Sequence, residues 1–277
     1  MIGKELNRHA LLIYFALTFG VSGGGIGIVL ATTGLDLSPM KPLEGGLLLA
    51  AKLLGPSVSG LVMTACVDGR TGLRRLGGRA LRWRVAPRWY AVALLTVPLI
   101  LMTILWPLGA LLDPAFKPRN QWPLLAVGLL AGGFEEIGWT GFAAHRLLAR
   151  HSAVRAGVLI GVPWALWHLL VDCRYNLGAM GVVWPLEFTI VYLSTLTPYR
   201  MLMTWVYSHT QSLLLAIIMH ASFTGWLLVL FPLTDFPQSL AWQASFALVL
   251  WCAVAIVIKG EAAHAGTIRG DGALWRH

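Results

Sequence analysis

Long apolar stretches separated by short polar or basic connectors set the pattern of this chain. Taking about 20 apolar residues as one membrane crossing, the pattern predicts eight spanning helices, near residues 10–32, 45–67, 89–112, 123–148, 154–173, 182–206, 211–231 and 239–258. No internal repeat or low-complexity segment interrupts it, and every connector is too short to hold a separate folded unit. The expected fold is an all-α polytopic membrane protein, one integral membrane domain over residues 1–277, with a bundle of about eight transmembrane helices around a polar intramembrane cavity.

Composition agrees with that pattern. Of the 277 residues, 57% are hydrophobic and 12% charged, with mean hydropathy +0.71, whereas a soluble domain carries about 25% charged residues. The net charge of +9 raises the question of nucleic acid, and the placement of the cations answers it. The connector over 68–88, DGRTGLRRLGGRALRWRVAPR, holds seven arginines: Arg70, Arg74, Arg75, Arg79, Arg82, Arg84 and Arg88. Such a cluster between spans marks a cytoplasmic side. With Leu81 and Trp83 among the arginines, it also suits a short interfacial helix on anionic head groups. The same side receives Lys4 and Arg8, the connector with Arg146, Arg150 and Arg155, the region of Arg200, and a tail with Lys259, Arg269 and Arg276. Both termini are therefore expected in the cytoplasm, with a bacterial inner membrane as the default location. The lipid bilayer is the expected partner of this charge and nucleic acid is not.

Smaller features change little. Cys66, Cys173 and Cys252 lie in or beside different apolar runs without C-x-x-C spacing, so neither a zinc ribbon nor a disulfide framework is expected. The first apolar run is too long for a signal sequence and reads as a retained helix. Within it, Gly20 and Gly24 stand four apart, a spacing that lets another helix approach closely. Trp164 and most of the 13 tryptophans read as packing more than chemistry and suit interfacial belts.

Polar residues inside the spans carry the candidate chemistry. Glu135 and Glu136 lie in "GGFEEIGWTGFAAHR", His168 in "VPWALWHLL" and His220 in "AIIMHASFTGW". A carboxylate at the centre of a span costs about 2.5 to 3.5 kcal/mol even on lenient insertion scales, so two in succession require a function or a partner. At about 1.5 Å per residue, Glu135 lies roughly 20 Å from the outer end of its helix, and the two histidines lie some 14 to 20 Å from the inner ends of theirs. Those depths are compatible with one shared site, in which a carboxylate between histidines serves as a general base.

Residues four apart share a helix face, which pairs Glu136 with Thr140, Trp164 with His168 and His220 with Thr224. The last pair places a hydroxyl beside an imidazole, the arrangement wanted for two donors aimed at a developing oxyanion. The same side chains leave other chemistries open. Two glutamates and two histidines are ordinary zinc ligands, although H-E-x-x-H is absent, and no cofactor is expected. Intramembrane Glu and His also occur in proton-coupled transporters. No P-loop or dinucleotide fingerprint is present.

E-E-x-x-x-R-G on one helix, an aromatic-x-x-x-H on the next and H-x-x-x-N on a later one mark the CPBP (CAAX protease and bacteriocin-processing, or Abi) intramembrane endopeptidases. Residues 120–230 resemble that family. Its two glutamates fall on Glu135 and Glu136, its aromatic on Trp164 and its histidines on His168 and His220. Two positions depart from the pattern: the arginine after the glutamates is Thr140, and the asparagine after the last histidine is Thr224. The resemblance implies that Glu135 with His168 activates a water to attack a scissile carbonyl, without an acyl-enzyme. It implies that His220 and Thr224 stabilise the oxyanion and that Glu136 supports the site from behind. Without an arginine one turn on, Glu136 needs another partner or a neutral form. The substrate implied is a peptide or membrane-protein tail, lipidated or not. A non-proteolytic scaffold or bacteriocin self-immunity protein on the same fold is the alternative.

Overall fold

The computed structural model describes residues 6–33, 41–179 and 184–273, with side chains described for 6–33, 41–170 and 186–262. Lys4, Arg276 and the side chains of Cys173 and Arg269 lie outside the described residues.

Among the described residues the apolar runs fold as eight long helices: α1 (Ala10–Thr33), α2 (Pro42–Ala80), α3 (Pro87–Leu111), α4 (Leu125–Gly138), α5 (Ala153–Ala179), α6 (Ser194–Thr210), α7 (Leu213–Leu230) and α8 (Phe236–Ala273). Among the described residues there is no strand, so the expected all-α class holds. Six of the eight (α1, α2, α3, α5, α7 and α8) are long and apolar enough to cross a membrane by length and composition. The other two are interrupted. A π-helical segment, Trp139–Ala144, continues α4 before a last turn at His145–Leu147. Another, Phe188–Leu193, leads into α6. These widened turns recur at functional sites in helices, and the first of them directly follows Glu135 and Glu136.

The arginine-rich stretch is largely helical. α2 runs through it to Ala80, broken at Gly69, whose φ of 62° and ψ of −159° lie where only glycine is comfortable. Leu81 and Trp83 follow the helix and are exposed. Arg146 binds Asp68 at 2.7 Å and Asn7 at 3.2 Å, and Ser212 donates to the carbonyl of Arg82 at 2.6 Å. The start of α1, the arginine segment, the connector after α4 and the α6–α7 connector therefore share one end of the bundle. Gln121 joins Val229 and Gln238 joins Asp113, which brings the intervening connectors together as a second group.

Helices meet where glycine removes the side chain. A Cβ on Gly132 would stand 2.5 Å from the carbonyl oxygen of Ile217, and one on Gly138 would stand 2.2 Å from that of Pro56. Both obstacles are backbone and cannot swing aside, so these glycines set how closely α7 and α2 pack on the helix that bears the glutamates. Gly20 and Gly24 have no atom within 4 Å of the corresponding position, contrary to the close approach expected of them. The contact to α1 is made from the other side, where a Cβ on Gly55 would fall 2.0 Å from the Ser22 hydroxyl.

The tryptophans divide between surface and core: Trp83, Trp106, Trp122 and Trp251 are exposed. Trp139, Trp164, Trp167 and Trp242 are fully buried in the core. Tyr14 packs edge-on against Trp139 at 5.8 Å, and Trp139 packs edge-on against Trp167 at the same distance. Aromatic pairs in this geometry add about 0.5–1.5 kcal/mol beyond their burial.

The glycine contacts yield a paired test. Gly132→Ala should cost about 1–3 kcal/mol through overpacking. Gly133→Ala, which meets open space, should be neutral or stabilising by up to about 1 kcal/mol because alanine favours the helix. Thermal unfolding of the two variants in detergent measures the difference.

Candidate active site

Four helices contribute one polar cluster: Glu135 and Glu136 from α4, Trp164 and His168 from α5, Arg200 from α6, and His220 and Thr224 from α7. Glu135 is 3% exposed, Glu136 and Arg200 are 0%, and His220 is 1%, so these charges are withdrawn from lipid and water alike. Burial at this level is tolerable only with partners, and the partners divide the two glutamates into different roles.

Glu136 is saturated. Arg200 grips it with a fork, Nη2 to Oε1 at 2.9 Å and Nη1 to Oε2 at 2.8 Å. The Thr140 hydroxyl donates to Oε2, and His220 Nδ1 donates to Oε1 at 2.6 Å. Both oxygens accept and neither donates, the pattern of an ionised carboxylate. Paired, charge-assisted bonds of this kind are the strongest available to it.

Glu135 is not saturated. Its Oε2 accepts one hydrogen bond, from the Trp164 indole at 2.8 Å, and its Oε1 lies 3.9 Å from His220 Nε2. His220 thus stands between the two glutamates. Glu135 lines a cavity of about 300 Å³ together with His168, Thr224 and Lys52. The rest of the lining is mostly apolar, including Val127, Leu227, Phe231 and Phe246. Val127 lies eight residues before Glu135 on its helix, so the cavity extends about 12 Å from the carboxylate, away from the arginine-bearing end.

His168 is oriented by its own helix. Its Nδ1 lies 2.9 Å from the carbonyl of Trp164, and a carbonyl can only accept, so Nδ1 carries the proton and Nε2 of the neutral ring is left with its lone pair. Trp164 packs edge-on against His168 at 5.5 Å and against His220 at 5.2 Å, and the Arg200 guanidinium sits over its ring at 4.1 Å. The indole therefore touches the glutamate, both histidines and the arginine. Lys52 lies over the Trp167 ring at 4.9 Å. Among the described residues no group of three His, Cys, Asp or Glu side chains is arranged to hold a metal ion.

Residues 117–226 match the family described as type II CAAX prenyl endopeptidase Rce1-like. A stretch of 104 residues is 36% identical to CAAX prenyl protease 2 of Methanococcus maripaludis. Over that segment the chain is similar to the CAAX protease family. The match to that relative covers 35% of this chain and 37% of the relative; the helices that bear Glu135, His168 and Arg200, and most of α7, fall inside the family match over 117–226.

All five predicted site residues, Glu135, Glu136, His168, His220 and Thr224, come together. Arg200 is the residue that the sequence reading misplaced: grouped with the basic end of the bundle, it is instead wholly buried on Glu136. A signal was available. Arg200 lies ten residues before the end of α6 at Thr210, about 15 Å inside it, too deep for the arginine to reach a head group without a partner. Arg200 fills the need left by Thr140, which is itself a donor to the same carboxylate. Trp164, read mainly as packing, is also a hydrogen-bond donor to Glu135.

Removing one partner of a buried ion pair leaves an uncompensated charge, at a cost of about 3–5 kcal/mol. Arg200→Met should lose about that much stability, whereas the double variant Glu136→Gln, Arg200→Met should recover part of it because no buried charge remains at that pair. A double-mutant cycle on thermal unfolding in detergent reads the coupling.

Proposed function

We propose that the protein is an intramembrane endopeptidase in which Glu135 activates a water for direct attack on a peptide bond. The observation that carries this reading is the division of labour between adjacent glutamates: Glu136 is occupied on both oxygens, while Glu135 has one hydrogen bond and opens on the cavity. A general base must present a free lone pair where substrate and water can reach it. The family match supports the reaction class.

The water would sit between Glu135 and the free Nε2 of His168. Glu135 takes one of its protons as the oxygen attacks the carbonyl carbon. The resulting oxyanion accepts from the Thr224 hydroxyl, which stands where the family carries an asparagine, and from the Nε2–H of His220 in its imidazolium form, whose Nδ1–H is already held by Glu136. The C–N bond then breaks, and Glu135 returns the proton to the leaving amine. No covalent acyl-enzyme forms and no metal takes part. His220, held by Glu136, which is held by Arg200 and Thr140, is oriented before substrate arrives, so the site pays no reorganisation during the reaction.

The substrate class follows from the relative named a CAAX prenyl protease: a lipidated C-terminal tail. The mostly apolar arm of the cavity beyond Glu135 would take the hydrocarbon chain while the peptide bond lies at the carboxylate. The arginine-bearing end would face the cytoplasm with the N-terminus on that side.

Cleavage of quenched prenylated and unprenylated peptides by the protein in lipid tests the reading. Glu135→Gln should lower the rate about 10²–10⁴-fold, and Thr224→Ala about 10²-fold as the loss of one oxyanion donor. A chelator should leave it unchanged. Undiminished cleavage by Glu135→Gln would remove the mechanism. A cellular phenotype insensitive to that substitution, without cleavage, would point to a scaffold or self-immunity role.

A further inference from the structure

The arginine-bearing end holds a second cavity, of about 430 Å³, between the start of α1, the part of α2 after Gly69 and the connector after α4. Arg8, Arg75, Arg79, Arg146 and Arg150 line it, against one carboxylate, Asp68. Two of the five have structural partners. Arg146 is tied to Asp68 and Asn7, and Arg79 donates to the Tyr207 hydroxyl at 2.9 Å and to the carbonyl of Gly141 at 3.0 Å. These bonds join α1, α2, α4 and α6 and hold the walls in place. Arg8, Arg75 and Arg150 are exposed, and among the described residues no side-chain hydrogen bond or ion pair ties them down.

Five guanidinium groups around one concavity repel one another and focus a positive potential into it, a cost that an anion relieves. The guanidinium fork matches phosphate oxygens two at a time. The depth is also informative. Leu81 and Trp83 follow the same arginine segment and are 77% and 61% exposed, and tryptophan side chains of this kind settle at the level of lipid head groups. We propose that this cavity is a binding site for a phosphate group carrying two or more negative charges, borne by an anionic lipid head group or by a soluble phosphate.

The full-length protein is titrated with inorganic pyrophosphate in detergent, and bound lipid is measured by native mass spectrometry from phosphatidylcholine vesicles containing phosphatidic acid. Saturable binding is expected in at least one arm. Lipid alone identifies a head-group site, pyrophosphate alone a soluble ligand, and competition between them a site open to both. Arg75→Gln with Arg150→Gln should weaken binding about tenfold or more, from the loss of two charge-assisted contacts. Arg70→Gln with Arg74→Gln removes the same charge from the same arginine-rich segment, outside the cavity, and should change binding less than about twofold. No saturable binding in either arm, equal weakening by both pairs, or indifference to both would overturn the proposal.

Discussion

The buried fork between Arg200 and Glu136 is the interaction on which the site depends. Two opposite charges, each wholly buried, tie α6 to α4 at a depth where neither can find water. Taking such charges out of water is expensive, and their attraction repays the cost only when geometry is good and the remaining lone pairs are satisfied. The fork has that geometry, and Thr140 and His220 complete the carboxylate that Arg200 grips. The consequence reaches the chemistry: a satisfied Glu136 fixes one nitrogen of His220, and the other then faces Glu135. Trp164 closes the arrangement from α5, with its ring under the guanidinium and its N–H on the Glu135 carboxylate.

Helix packing supplies the tolerance that this network needs. A misplacement of 1 Å can cost two orders of magnitude in rate, so the helix bearing the glutamates must be held on more than one side. Gly132 brings α7 against it and Gly138 brings α2 against it. Ser57 of α2 donates to the carbonyl of Phe134 at 2.6 Å, one residue before Glu135. In hydrocarbon the hydrophobic effect does not favour helix against helix, so close contact and hydrogen bonds of this kind carry the association.

Much of this was legible in the sequence, for identifiable reasons. Apolar length gave the helices because the bilayer dictates it, and buried ionisable residues gave Glu135, Glu136, His168 and His220 because hydrocarbon makes them costly. The interrupted stretches around 139–144 and 188–193 were read as plain spans, since a π-helical turn leaves the apolar pattern intact. Gly20 and Gly24 had the right spacing and the wrong face, because spacing alone cannot say which side of a helix meets a neighbour. Arg200 was missed for a related reason. Positive charge was assigned to the cytoplasmic side by its place in the order of connectors, while its depth within α6 called for a buried partner. Once Arg200 is placed, the missing arginine at position 140 ceases to be an anomaly: the cation is supplied from another helix.

That substitution in space can be tested by moving the charge back. Cleavage of a prenylated quenched peptide is compared for the native protein, Arg200→Gln, and the double variant Arg200→Gln, Thr140→Arg, each reconstituted in lipid and shown to keep its helical spectrum. The account predicts that the single variant loses most of its activity and that the double variant regains a substantial part, because an arginine one turn after Glu136 can reach the same carboxylate. Native activity in Arg200→Gln would contradict the central claim that this buried guanidinium organises the site.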